Sequence, residues 1–278
     1  MKIIFSPKCL EYGGMHIEGP GRVRSAYEIL ANKGYEFLEP EPASDKDILR
    51  VHTRQYLERL KEGFVGDVDT PAYENIYEYA RLSAGGAILA AREKGFSLMR
   101  PPGHHAGRNG RALDAPTLGF CYLNNVAIAV SSLGLQTLIV DIDGHHCNGT
   151  QEIFYGNERV SVVSLHRYPL YPLTGVRSEG NCINIPLPAD CGEKMYLHAL
   201  KKALSQVDKD SVELVAVSAG FDAHEGDLAS LGLTEKTYFN IGRMLASIGK
   251  PTFFVLEGGY DGEKLGRDID QLIKGFET

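Results

Sequence analysis

Apolar residues in this chain gather into short, nearly unbroken runs at residues 2–5, 96–99, 138–140, 160–165, 214–218 and 252–256. Runs of this length, rich in Val, Ile and Phe, predict strands buried on both faces. Between them lie stretches with helical periodicity: 22–33, parts of 44–63, 73–94, 122–133, 194–207 and 234–248, with a last helix closing the chain. Ser44-Asp45-Lys46-Asp47 predicts a helix start. Gly85-Gly86 falls inside an unbroken apolar pattern, which predicts close packing on another backbone rather than a break. Apolar strands alternating with helices specify an α/β protein with a parallel sheet. No repeat, low-complexity tract or linker divides residues 1–278, so one domain is expected.

Composition changes this picture little. Hydrophobic residues at 43% and charged residues at 23% suit a core of this size. A net charge of -7 argues against a nucleic-acid partner. No apolar stretch reaches membrane-spanning length, and Met1–Phe5 runs into Ser-Pro too soon for a secretory signal, so a cytoplasmic protein is expected. Cys9, Cys121, Cys147, Cys182 and Cys191 are odd in number and widely spaced, which argues against a disulfide framework or a cysteine-type zinc site.

The candidate chemistry sits where the apolar runs end. In a parallel sheet the carboxyl ends of the strands share one edge, where ligands bind. Here the runs lead to His104-His105, to the cluster Asp141, Asp143, His145, His146, to Ser164, to Asp222 and to Tyr260. Two carboxylates and an imidazole crowded together repel and desolvate one another unless a cation joins them. Asp143, His145 and Asp222 form a three-ligand set with open positions, the pattern of catalytic zinc (Zn2+), with iron(II) (Fe2+) equally suited to the donors. His104 and His105, in a proline-stiffened loop, suit a general base and acid. Tyr260, after Gly258-Gly259, suits an oxyanion donor. Asp141 is either a further ligand or a support for one histidine of the pair, Asn148 for the other, and His146 an orienting neighbour. Phe120 and Tyr171 are candidate walls of an aromatic channel.

The segments Arg100–Ala106 (RPPGHHA), Gly119–Asn125 (GFCYLNN), Val140–Gln151 (VDIDGHHCNGTQ), Ala219–Ala223 (AGFDA) and Leu256–Tyr260 (LEGGY) resemble the histone deacetylase and acetylpolyamine amidohydrolase superfamily. The LEGGY form is closest to the class II-like bacterial or archaeal branch. The resemblance covers the chain from about residue 16 onward. It implies the arginase/deacetylase fold, a single open parallel sheet of about eight strands flanked by helices. It implies zinc on Asp143, His145 and Asp222, His104 and His105 as the catalytic pair supported by Asp141 and Asn148, and Tyr260 polarising the acyl carbonyl. It further implies an acyl-chain tunnel at Gly119, Phe120 and Tyr171, and a rim carboxylate, Asp69, for the substrate backbone. A structural potassium ion (K+) at Asp141, Asp143, His145, Ser164 and Leu165 is also implied. Three positions depart from the pattern: Cys147 and Leu173 stand where glycines are usual, and the 16–22 segment is a worn version of its motif.

The expected function is a zinc-dependent deacetylase, acting on acetyl-lysine or on an acetylated polyamine or other small amine. Glu225 and Asp227 are candidate acidic groups at the mouth for a cationic substrate. A ureohydrolase on the same fold and an inactive acyl-amine-binding protein are the alternatives; a homodimer is left open.

Overall fold

The computed structural model describes residues Met1–Thr278. Eight parallel strands form one open sheet: in spatial order Phe37–Leu38, Ile3–Ile4, Phe96–Ser97, Thr252–Leu256, Leu214–Ala219, Thr137–Asp141, Val160–Arg167 and Cys182–Leu187. Successive residues of a strand point to opposite faces. Accordingly Leu138 and Val140 enter one apolar cluster while Ile139, between them, enters the other. Helices Pro20–Asn32, Gly192–Leu204, Glu235–Ala246 and Gly262–Phe276 contribute to the first cluster. Helices Arg54–Lys61, Ile76–Glu93 and Asn125–Leu133 contribute to the second. Burial on both faces is the physical reason the central strands read as continuous apolar runs.

The helix boundaries follow local chemistry. Ser44 and Asp47 form the expected capping box, but the 44–63 stretch makes two short helices, Asp45–Ile48 and Arg54–Lys61. The second restarts at Thr53, whose side chain accepts from Tyr56 N at 3.1 Å. The predicted 73–94 helix begins only at Ile76, because Asn75 takes a left-handed φ of 58°. Gly85 and Gly86 do mark close packing: a Cβ on Gly85 would strike the Glu41 carbonyl, and one on Gly86 would lie 2.6 Å from Met99 Cγ. Six elements lie outside the sequence prediction: edge strands Phe37–Leu38 and Cys182–Leu187, the 3-10 helix Pro7–Leu10, the small antiparallel pair Ala106–Gly107 and Gly110–Arg111, and the short helix Asn148–Phe154. No helix is long and apolar enough to cross a membrane.

Candidate active site

The three strands Thr252–Leu256, Leu214–Ala219 and Thr137–Asp141 lie side by side, so the segments that follow them meet above one edge. Asp143 and His145 occupy the turn between Asp141 and the helix Asn148–Phe154; Asp222 and Tyr260 follow the other two strands. One ligand atom each from Asp143, His145 and Asp222 lies within 4.8 Å of the others. Backbone amides orient both carboxylates. Gly258 N donates to Asp143 Oδ2 at 2.8 Å, and Gly144 N to Asp222 Oδ1 at 2.7 Å. Asp222 Oδ2 is buried without a hydrogen bond, although His145 Nδ1 lies only 2.6 Å away, close but poorly aimed. Gly258 seals the cluster, since a Cβ there would stand 2.6 Å from Asp143 Oδ2.

This set fits a divalent cation: two carboxylates, one ring nitrogen, and a buried oxygen left over for it. The electrostatics agree. Burial opposes charge on His145, yet Asp222 and Asp143 outweigh it and raise the ring to about 10. Burial and the neighbouring Asp143 lift Asp222 to about 6. The cluster demands positive charge, so a proton on His145 competes with a metal ion for the same ligand atom.

His104 and His105 lie beside this cluster with ring centroids 4.0 Å apart, and their partners differ in charge. His104 Nδ1 lies 3.0 Å from Asp141 Oδ2, and His105 Nδ1 lies 2.7 Å from Asn148 Oδ1. Asn148 Nδ2 donates to Ala112 O at 2.9 Å, which fixes the amide with its oxygen toward His105. His105 Nδ1 therefore carries the hydrogen, and Nε2 keeps a free lone pair. For His104 burial opposes charge, but Asp141 and Asp143 outweigh it and raise the ring to about 10. For His105 burial, then the positive fields of His104 and His145, press the ring well below its ordinary value. Adjacent imidazoles with opposed shifts can serve as an acid and a base.

Glu257 aligns the loop that carries the pair. It is fully buried, and its Oε2 accepts from Gly103 N at 2.7 Å and His104 N at 3.1 Å. Sequence reasoning quoted its motif but gave this residue no role. Tyr260 is held from behind. Its N donates to Asp227 Oδ2 at 2.9 Å, and the Arg22 guanidinium lies 4.9 Å from its ring centre. Arg22 also donates to Gly259 O at 2.6 Å and to Glu257 O. Burial pushes the Tyr260 phenol well above 10, so it stays a hydrogen-bond donor at neutral pH.

Gly119 and Tyr171 border His105, and Phe120 borders Tyr260. The Tyr171 ring meets His105 edge-on at 4.9 Å, and Phe120 meets Tyr260 edge-on at 5.8 Å. Gly119 has φ +57°, and a Cβ there would lie 2.6 Å from both His105 Cδ2 and Tyr171 Oη. Gly119→Ala is therefore expected to displace His105 and lower kcat by at least tenfold, roughly one misplaced catalytic contact, while circular dichroism stays unchanged.

The remaining predicted residues divide. Asp69 borders the wall, but its two oxygens accept hydroxyls from Thr70, at 2.7 Å, and from Thr117. Thr70 Oγ1 in turn accepts from Phe120 N at 2.8 Å, so Asp69 shapes the wall itself. Ser164 stands opposite Asp141 in the ladder, with its Oγ 3.0 Å from His166 Nδ1; Leu165 follows it, buried. His146 turns away from the cluster toward Thr174, Gln151 and Asn184. Cys147 is buried, and burial pushes its thiol well up.

Residues 16–276 match the family model described as a histone deacetylase domain. A probable deacetylase of Methanothermobacter thermautotrophicus is 38% identical over an alignment covering 100% of this chain and 91% of its own. A probable deacetylase of Archaeoglobus fulgidus is 36% identical, covering 94% of this chain and 81% of its own. Among solved structures, acetylpolyamine aminohydrolase from Burkholderia pseudomallei superposes with a TM-score of 0.91 at 26% identity, covering 100% of this chain and 99% of the other. With its single parallel sheet, its strand-edge cluster and these relatives, the chain belongs to the histone deacetylase family.

Proposed function

We propose that this protein is a zinc-dependent amidohydrolase that removes an acyl group, in the simplest case acetyl, from an acylated lysine or small amine, with the whole chain acting as one catalytic domain. The observation that carries the reading is the split histidine pair beside the Asp143–His145–Asp222 cluster: one imidazole faces a carboxylate, the other a neutral amide. Asp143, His145 and Asp222 would hold the metal, which when bound supplies Lewis acidity to a carbonyl and to water. His105 Nε2 takes the proton as water adds to the carbonyl carbon. The Tyr260 hydroxyl donates to the oxygen on which negative charge grows. His104, held charged by Asp141, steadies that charge or shares the proton transfer to the departing nitrogen. The C–N bond breaks, and the products are a carboxylate and a free amine. A potassium ion at Asp141, Asp143, His145, Ser164 and Leu165 would offset the burial of Asp141, whose carboxyl is raised chiefly by desolvation.

A ureohydrolase would need further donors near Asp222. The nearest in sequence, His224, is bound through Nδ1 to Asp268 at 2.6 Å, and the relatives are described as deacetylases. The test is turnover of a fluorogenic acetyl-lysine by zinc-loaded enzyme. Tyr260→Phe is expected to lower kcat by about 10²- to 10³-fold, the cost of one oxyanion donor, with KM and zinc content unchanged. Equal turnover by the variant and the parent refutes the mechanism, and guanidine hydrolysis with two metals per chain refutes the reaction class.

A further inference from the structure

Tyr171 sits on the loop that follows the strand Val160–Arg167. Its hydroxyl donates to Thr117 O at 3.0 Å, and its ring meets His105 and His145 edge-on at 4.9 and 6.2 Å. Two residues on, Leu173 is 60% exposed and takes φ +66°, the left-handed region that disfavours any side chain with a Cβ. A strained residue keeps such a conformation only where its surroundings impose it. The imposing contacts lie at Thr174 and Gly175, and both come from histidines that the mechanism does not use.

His146 Nδ1 lies 2.8 Å from Thr174 Oγ1, and His166 Nε2 lies 3.1 Å from Gly175 O. Residues 174 and 175 make no other hydrogen bonds. The partners fix the ring hydrogens. Asn184 Nδ2 donates to Gln151 Oε1 at 2.7 Å and to Arg177 O at 3.0 Å, which turns Asn184 Oδ1 toward His146. His146 Nε2 thus faces two acceptors, Gln151 Oε1 at 3.0 Å and Asn184 Oδ1 at 3.1 Å, and carries the hydrogen. Its Nδ1 accepts the Thr174 hydroxyl. Gly175 O can only accept, so His166 holds its hydrogen on Nε2, and its Nδ1 accepts from Ser164 Oγ at 3.0 Å. Both rings are buried, with centroids 4.6 Å apart. They close on Gly175, where a Cβ would stand 2.5 Å from His146 Cδ2 and 2.7 Å from His166 Nε2. The rings are anchored in turn: His146 to the helix Asn148–Phe154 through Gln151 and to the edge strand Cys182–Leu187 through Asn184, His166 as a member of the strand Val160–Arg167.

Building on the deacetylase reading above, we propose that His146 and His166 are positioning residues, a clamp on Thr174 and Gly175 that fixes the Tyr171 ring against His105 and so limits the size of acyl group the site accepts. They act through Tyr171, not on the substrate. In that reading the acyl carbon lies beside His105, where the Tyr171 ring bounds the space. Releasing the clamp lets the ring withdraw, which admits a bulkier acyl group and costs the acetyl group its alignment.

The experiment takes the ratio of kcat/KM on Nα-capped acetyl-lysine and butanoyl-lysine amides with zinc-loaded enzyme. Thr174→Val keeps the shape and both histidines but removes the hydroxyl; it is expected to lower the acetyl-to-butanoyl ratio about tenfold, the scale of a modest misplacement at a reacting centre. Thr174→Ser keeps the hydroxyl and the parent ratio. Tyr35→Phe, which removes a hydroxyl bonded to Asp270 Oδ1 at 3.1 Å outside the site, also keeps the parent ratio, so a general loss of stability does not imitate the effect. His146→Leu lowers the ratio as far as Thr174→Val, and the double variant no further, because both remove one interaction. Zinc content is equal in the parent and the Thr174 variants. In the metal-free protein, histidine-selective nitrogen NMR is expected to show His146 protonated on Nε2 alone. An unmoved ratio in Thr174→Val, an equal fall in Thr174→Ser, or a His146 hydrogen on Nδ1 overturns the inference. In each of those cases a parent active on either probe leaves the deacetylase reading standing. A parent inactive on both defeats that reading itself, and this inference with it.

Discussion

On the proposed mechanism, replacing His105 with alanine is expected to lower kcat by about 10²- to 10⁴-fold, the usual contribution of a positioned general base, while the zinc bound by the zinc-loaded protein is unchanged. The expectation rests on the ring's tautomer. Asn148 Oδ1 can only accept, so the hydrogen sits on Nδ1 and the basic lone pair on Nε2. Burial and the positive charge of His104 keep that ring unprotonated through the neutral range. Activity should therefore persist as pH falls, and fail only as the ring's low pKa is approached. Asn148→Asp tests the sign. A carboxylate at Nδ1 favours the imidazolium, raises the pKa, and moves the acid limb of kcat/KM to higher pH, so activity at pH 6 falls more than at pH 8. A pH–rate profile with an unmoved acid limb contradicts this assignment.

Glu18→Ala is expected to cost about 3–5 kcal/mol of stability, the range for removing one partner of a buried ion pair, read as a fall in Tm of roughly 10 °C for a protein of this size. Arg100 is fully buried and donates to Glu18 Oε1 at 2.9 Å and Oε2 at 2.8 Å, with its guanidinium 3.8 Å over the Tyr12 ring. Arg22, on the other side, donates to Glu18 Oε1 at 3.0 Å. Removing the carboxylate leaves two buried guanidiniums without their counter-charge. Arg22 also supports Gly259, so the surviving folded fraction should show reduced kcat. Glu18→Gln, which keeps the shape and loses the charge, should fall between. Urea denaturation and thermal melts of the three proteins check the order.

How much of this was readable in the chain depends on the kind of force involved. The six strands recovered from the sequence pattern did not include Cys182–Leu187. That strand lies at the sheet edge, alternates buried and part-exposed residues, and contains Asn184 and Pro186, so it lacks the doubly buried signature. Phe37–Leu38 is too short to carry a pattern. The cluster of Asp143, His145 and Asp222 was legible because charged residues at the ends of apolar runs are rare. Whether Asp141 supported a histidine or joined that cluster was not fixed by spacing; the structure places its Oδ2 on His104. Glu257 and Thr70 were illegible as site residues, because they act on backbone N–H groups and leave no spacing or periodicity behind, and Asp227, read as a mouth carboxylate, instead accepts the backbone N–H of Tyr260. Asp69 shows the converse limit: the resemblance implied a rim carboxylate for the substrate backbone, but the engagement of both its oxygens with Thr70 and Thr117 needed coordinates.

The order of strands in the sheet also sets a schedule for biosynthesis. Asp143 and His145 leave the ribosome well before Asp222, whose strand must seat against Thr137–Asp141 on one side and Thr252–Leu256 on the other. The amide that orients Asp143 belongs to Gly258, later still. A nascent chain therefore holds an incomplete donor set until Asp222 is translated, and Asp143 gains its orienting amide only once Gly258 has followed.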